Sequence, residues 1–145
     1  MHDRRRVLLL VRNPQGSFLS LRAAAAVEQG SRYMQLPSAL ALSSESDIQT
    51  LDRAVRDDLG VFLQTQEALQ IGYDSEYQPG EGVLTQVLYM LKIPTEYINV
   101  TLGASFESFA WRAPREMRDF EPATQVLVQT ALDFYVPQEF PAAFN

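Results

Sequence analysis

The sequence contains no cysteine and a single histidine, His2, so disulfides, thiolate sites and histidine-based zinc or acid–base sites are set aside. Chemistry must come from carboxylates. The acids whose spacing invites it are Asp57 and Asp58, preceded by Glu45 and by Arg53. Adjacent carboxylates on one rigid face can share a hard divalent cation, because such ions prefer oxygen ligands. The same residues also read as a solvated helix face. Arg53 then makes an i,i+4 pair with Asp57, worth about 0.3 kcal/mol, and Glu45 sits near a helix N-terminus because the dipole favours an anion there.

Both readings require one helix, predicted from Ser46 to Leu59. Ser46 followed by Gln49 is a capping-box start, each side chain satisfying a backbone N–H of the first turn, and Gly60 is the stop. Ile48, Leu51, Val55 and Leu59 share an arc of roughly 80° and face a core. With Ile48 at zero, Asp57 falls near about 180°, Ala54 near about 240° and Asp58 near about 280°, so the two carboxylates flank an alanine on an exposed face.

Around this helix the chain supplies strands. Val7 to Val11 is a continuous apolar run expected at the centre of a sheet. The turn residues Asn13 to Gly16 then join it to Ser17–Leu21 as a hairpin. Ala23 to Arg32 reads mostly as loop, as does the approach to Pro37. Leu63 to Ala68 is a connector. Leu69–Tyr77 and Val83–Ile93 form a second hairpin across Gln78–Gly82. Ile98 to Leu102 is a short extended piece and Phe106–Arg112 a strand whose Phe106, Phe109 and Trp111 read as core aromatics. A short helical segment is expected from Ala113 to Phe120. A final helix starts at Pro122 and ends before Pro137, leaving 136–145 as a tail. The order β-β-α-β-β-β-α describes one α/β (α+β) domain over residues 1–145, a mixed sheet between helices.

Composition agrees with a single domain: 145 residues, 46% hydrophobic, suffice for one core. The net charge of -6 argues against binding nucleic acid through its phosphate backbone, and the Arg4–Arg6 run is too short to reverse this. No stretch of about 18 apolar residues suggests a membrane span, and Val7–Val11 is shorter than a signal-peptide core, so a cytoplasmic location is expected. The aromatic C-terminal region (Phe134, Tyr135, Phe140, Phe144) makes a homodimer a candidate assembly.

From Ala39 to Val61 the spacing resembles the Nudix box, G-x5-E-x7-R-E-U-x-E-E-x-G-U with U bulky and apolar, and it fits without a gap. Glu45, Arg53, Val55, Gly60 and Val61 match, Asp57 and Asp58 stand for the paired glutamates, and Ala39 and Ala54 replace the first glycine and the glutamate after the arginine. Leu36-Pro37-Ser38-Ala39 is similar to the segment that precedes the box, and the strand ending at Trp111 to one that follows it. The resemblance implies a Nudix-like α/β/α sandwich and a Mg2+- or Mn2+-dependent hydrolysis of a nucleoside diphosphate linked to another group. It places metal ligands at Asp57, Asp58 and Glu45, gives Arg53 a structural task in the box, and implies a small-molecule nucleotide or diphosphate ligand.

The departures weaken that expectation. Ala54 can neither ligate nor act as base, and the aspartates are one methylene shorter than glutamates, whereas Mg2+ demands near-ideal geometry. Alanine at position 39 disfavours a left-handed backbone that glycine would allow. Loss of a general base forfeits about 10²- to 10⁴-fold in rate unless another residue substitutes. Glu76, Glu81 and Glu107 are the candidates, while Tyr33 and Tyr77, near loops, are weaker ligand contacts. Two readings stay open: a divergent Nudix-type pyrophosphohydrolase with weak metal binding, and a non-catalytic Nudix-fold module that binds a nucleotide or a protein partner.

Overall fold

A strand apolar on both faces has to be covered on both, and the strand built on Val7–Val11 is treated accordingly. In the computed structural model, which describes residues 3–24, 33–95 and 98–139, this strand, β1 (Arg4–Arg12), lies at the middle of a seven-stranded mixed sheet. One neighbour is β6 (Gly82–Lys92), parallel to it from Arg4↔Leu84 to Arg12↔Lys92; on the other side is β2 (Phe18–Ala23), antiparallel. The β1–β2 turn is held by the Asn13 side chain, which accepts N–H bonds from Gln15 and Ser17. Beyond β6 lies β5 (Leu69–Gln78), a sheet edge, and beyond β2 the two-residue β3 (Met34–Gln35). Also, β4 (Ser38–Leu40) pairs with β1, and β7 (Phe106–Arg112) with β2.

The two-residue period of β1 divides the core. Val7, Leu9 and Val11 join Leu19 and Leu21 beneath helix α1 (Asp47–Leu59), meeting Leu51, Val55 and Leu59. Leu8 and Leu10 join Phe18, Leu88 and Met90 on the opposite face, beneath helix α2 (Pro122–Glu139) with its Leu127, Val128, Ala131 and Leu132. Each fully buried aliphatic side chain stabilises by about 1.5–3 kcal/mol. The result is the expected α/β/α sandwich. Among the described residues no helix is long and apolar enough to cross a membrane.

Several expected elements differ. The approach to Pro37, read as loop, supplies β3, and β4 follows Pro37; both are too short to show a two-residue period in sequence. Ile98–Leu102, read as a short extended piece, lies beside α1, where the Thr101 and Gly103 N–H groups donate to the Leu59 and Asp58 carbonyls and cap the end of the helix. Residues 113–120 form turns rather than a helix, closed by bonds from Glu116 to Ala113 and from Phe120 to Met117. Helix α2 passes through Pro137 to Glu139 instead of ending before it. A proline in the last turn removes a single donor, and α2 is held upstream by its buried face. Phe109 is 40% exposed while Phe106 and Trp111 pack partly against the α1 side. Residues 25–32 of the expected loop, 140–145 of the expected tail, with Phe140 and Phe144, and His2 lie outside the described residues.

Candidate functional site

Helix α1 begins as its sequence dictates. The Ser46 hydroxyl accepts the Gln49 N–H and the Gln49 amide accepts the Ser46 N–H, while Gly60 closes the helix at φ 63°. Asp47 in the first turn takes both N–H groups of the Arg5 fork at 2.7 Å and the Tyr89 hydroxyl at 2.7 Å. This ties the helix to the sheet. Arg5 holds the Asp47 carboxyl below its usual range, and burial first, then the Asp47 bond, pushes the Tyr89 hydroxyl up to about 12.

Glu45 stands just outside this helix and is fully engaged. It accepts Arg53 Nε at 2.9 Å on one oxygen, and on the other Arg53 at 2.9 Å, the Leu42 N–H at 2.8 Å and the Thr50 hydroxyl at 3.0 Å. Arg53 first, then the Leu42 N–H, hold its carboxyl down at about 2. Arg53 also donates to the Leu40 carbonyl at 2.7 Å. The arginine therefore braces β4 and the loop before α1, not Asp57 as the i,i+4 reading had it. Glu45, expected among metal ligands, serves as its counter-charge.

The polar face of α1 is not the exposed triad drawn on a helical wheel. Ala54 is buried, at 1% exposure. The reason is β4, which runs along this side of the helix: Arg53 reaches the Leu40 carbonyl, and Asp58 accepts the Ser38 N–H. Ala39 lies in β4 opposite Val7, so the residue in place of the first box glycine takes an extended conformation and avoids the left-handed strain expected there. Asp57 points outward, its side chain 60% exposed and 3.8 Å from Arg56, a surface pair of little energetic weight.

Asp58 faces inward. It lines a cleft of about 640 Å³, together with Arg6, Tyr33, Gln35, Ser38, Glu76, Gln78, Gln86, Phe106, Glu121 and Thr124. Burial pushes its carboxyl up to about 6, opposed by the Ser38 N–H and reinforced by Asp57. Arg6 donates to the Ser38 hydroxyl at 3.3 Å, and burial lowers the pKa of its guanidinium.

Of the residues singled out in the sequence, the cleft gathers Asp58, Glu76 and Tyr33. Glu81 lies in the β5–β6 turn, 3.9 Å from Arg4, and Glu107 is an exposed residue of β7; neither lines the cleft. Tyr77, 62% exposed, pairs with Val83 at the open end of β5 and does not line it either. Sequence reasoning missed Arg6, Glu121, Gln35 and Gln86. For Arg6 the signal was present: carrying the alternation of β1 back from Leu8 puts Arg6 on the α2 side and Arg5 on the α1 side.

Among the described residues, no group of three or more histidine, cysteine, aspartate or glutamate side chains is placed to hold an ion. Glu45 is engaged by Arg53, Asp57 turns away and position 54 has no carboxyl, so Asp58 is the lone box carboxylate facing the cleft.

No family model matches the sequence, and no curated protein matches it either. Comparison of the fold does find similar structures. A MutT protein from Methanosarcina mazei Go1 superposes with a TM-score of 0.75 at 16% identity, covering 91% of this chain and 94% of that one. The dihydroneopterin triphosphate pyrophosphohydrolase of E. coli gives 0.70 at 12%, over 91% and 94%. The NUDIX domain of Shewanella oneidensis NrtR, complexed with ADP ribose, gives 0.66 at 14%, over 92% and 90%.

Proposed function

The chain has the Nudix fold, and we propose that it binds a nucleotide-type small molecule in its cleft without hydrolysing it at ordinary enzyme rates. The observation that carries this reading is the fate of the box carboxylates: none at the buried position 54, one turned to solvent at Asp57, one left in the cleft at Asp58. Attack of water on a diphosphate needs charge neutralised on the phosphoryl oxygens, and hard cations supply this through several converging oxygens. Here they do not converge, so binding of Mg2+ or Mn2+ is weak. The ligand class is supported by the ADP ribose held by the NrtR domain and by a C. elegans Ap4A hydrolase of the same fold, at a TM-score of 0.64 and 13% identity.

A second reading has its own support. Asp58 has its pKa raised to about 6, the range a general base needs near neutral pH, and Glu76 lines the same cleft. Slow hydrolysis with one of these as base would follow. A panel of nucleoside triphosphates, dinucleoside polyphosphates and ADP-ribose, incubated with the protein and Mg2+ or Mn2+ and followed by chromatography, separates the two. Binding in a thermal-shift assay with negligible product supports the binding reading, and turnover near about 1 s⁻¹ or faster rejects it.

A further inference from the structure

The charges that line the cleft have a sign, and the sign bears on the ligand. Resting on the binding reading above, we infer that the cleft accepts the uncharged nucleoside part of such a ligand and disfavours its 5′-diphosphate. Arg6 is the one cationic side chain among the described lining residues, against the carboxylates of Asp58, Glu76 and Glu121. Burial and the neighbouring Arg4 lower the Arg6 pKa, while Asp58 and Glu121 oppose them through space, so these two acids set part of their charge against the guanidinium. A diphosphate brings further negative charge into a partly desolvated space with a surplus of anions, where repulsion is larger than in open water. The usual remedy, a divalent cation between ligand and protein, has no group of three acidic or imidazole ligands to hold it among the described residues.

The rest of the lining suits an uncharged heterocycle. The Gln35 and Gln86 amides and the Ser38 hydroxyl offer both donors and acceptors for the edge of a base. Tyr33, 45% exposed, and Phe106 supply aromatic surface for its face. Gln78 is a poorer candidate, because its carbonyl oxygen already accepts from Arg4.

The test is calorimetry on the full chain in EDTA at low salt, titrating adenosine, guanosine, cytidine and uridine and the 5′-diphosphate of each. The expected result is at least one nucleoside bound about tenfold or more tightly than its diphosphate, with the gap narrowing as salt screens the repulsion. In the double variant Glu76→Gln with Glu121→Gln, the affinity of the diphosphate relative to that of the nucleoside should rise about threefold or more. Diphosphates that bind as tightly as their nucleosides in EDTA, or a ratio unmoved in the double variant, overturn the inference and leave the binding reading standing. If none of the compounds binds, both fall; rapid consumption of a diphosphate with Mg2+ overturns the binding reading by itself.

Discussion

Arg53 joins three pieces of chain through its guanidinium, taking both Glu45 oxygens and the Leu40 carbonyl from the side of α1. Arg53→Ala should therefore destabilise the protein by about 1.5–3 kcal/mol in urea unfolding, the range for charge-assisted hydrogen bonds. Glu45 titrates from about 4.5 in the unfolded chain to about 2 in the folded one. Its contribution is thus present above about pH 4.5 and is lost as pH falls toward 2, a dependence that Glu45→Gln should flatten. Asp58 has the opposite sign. With its folded value raised from 3.8 to about 6, the ionised form is disfavoured by folding, so stability falls as pH rises from about 4 to 6. Asp58→Asn should gain about 1 kcal/mol at pH 7.5, after discounting for the part of the group still in water, and nothing below pH 4. The box register placed these residues in the sequence, but their partners were hidden, because Leu40, Leu42 and Ser38 approach α1 only through β4 and the loop after it.

At the scale of elements, α1 was legible because its signals are local. Ser46, Gln49, the apolar spacing and Gly60 all act within a few residues of one another, and each takes its expected place. Ser46→Ala should cost about 1 kcal/mol in thermal or urea unfolding. What covers the end of α1 was not legible. Ile98 to Leu102 reads only as a short extended piece in sequence, while in the fold the Thr101 and Gly103 N–H groups bond the last carbonyls of the helix. A Cβ on Gly103 would lie 2.2 Å from the Asp57 carbonyl oxygen. Gly103→Ala should consequently destabilise by at least about 2 kcal/mol, and unfolding at the wild-type midpoint would contradict this close packing. The short strands β3 and β4 escaped notice for a related reason: two or three residues carry no period, and only pairing with β2 and β1 makes them strands.

The whole molecule shows how strand and helix patterns can reveal a fold while leaving its site open. The sandwich follows from one doubly apolar strand, two hairpins and two helices, all readable from local spacing. The cleft does not, since Arg6, Asp58, Glu76 and Glu121 come from β1, the end of α1, β5 and the residue before α2, and only the assembled sheet brings them together. In sequence Asp57 and Asp58 look equivalent. In the fold Asp57 faces solvent and Asp58 the cleft, with the alanine beside them buried. The central claim is that the protein does not hydrolyse a nucleotide diphosphate bond at ordinary enzyme rates. Phosphorus NMR of ADP-ribose and a nucleoside triphosphate, incubated with the protein in excess Mg2+, tests it most directly. The account predicts spectra that stay essentially unchanged, with turnover at least about 10²-fold below 1 s⁻¹; steady conversion to monophosphate products at 1 s⁻¹ or faster, within the ordinary enzyme range of about 1–10³ s⁻¹, would contradict it.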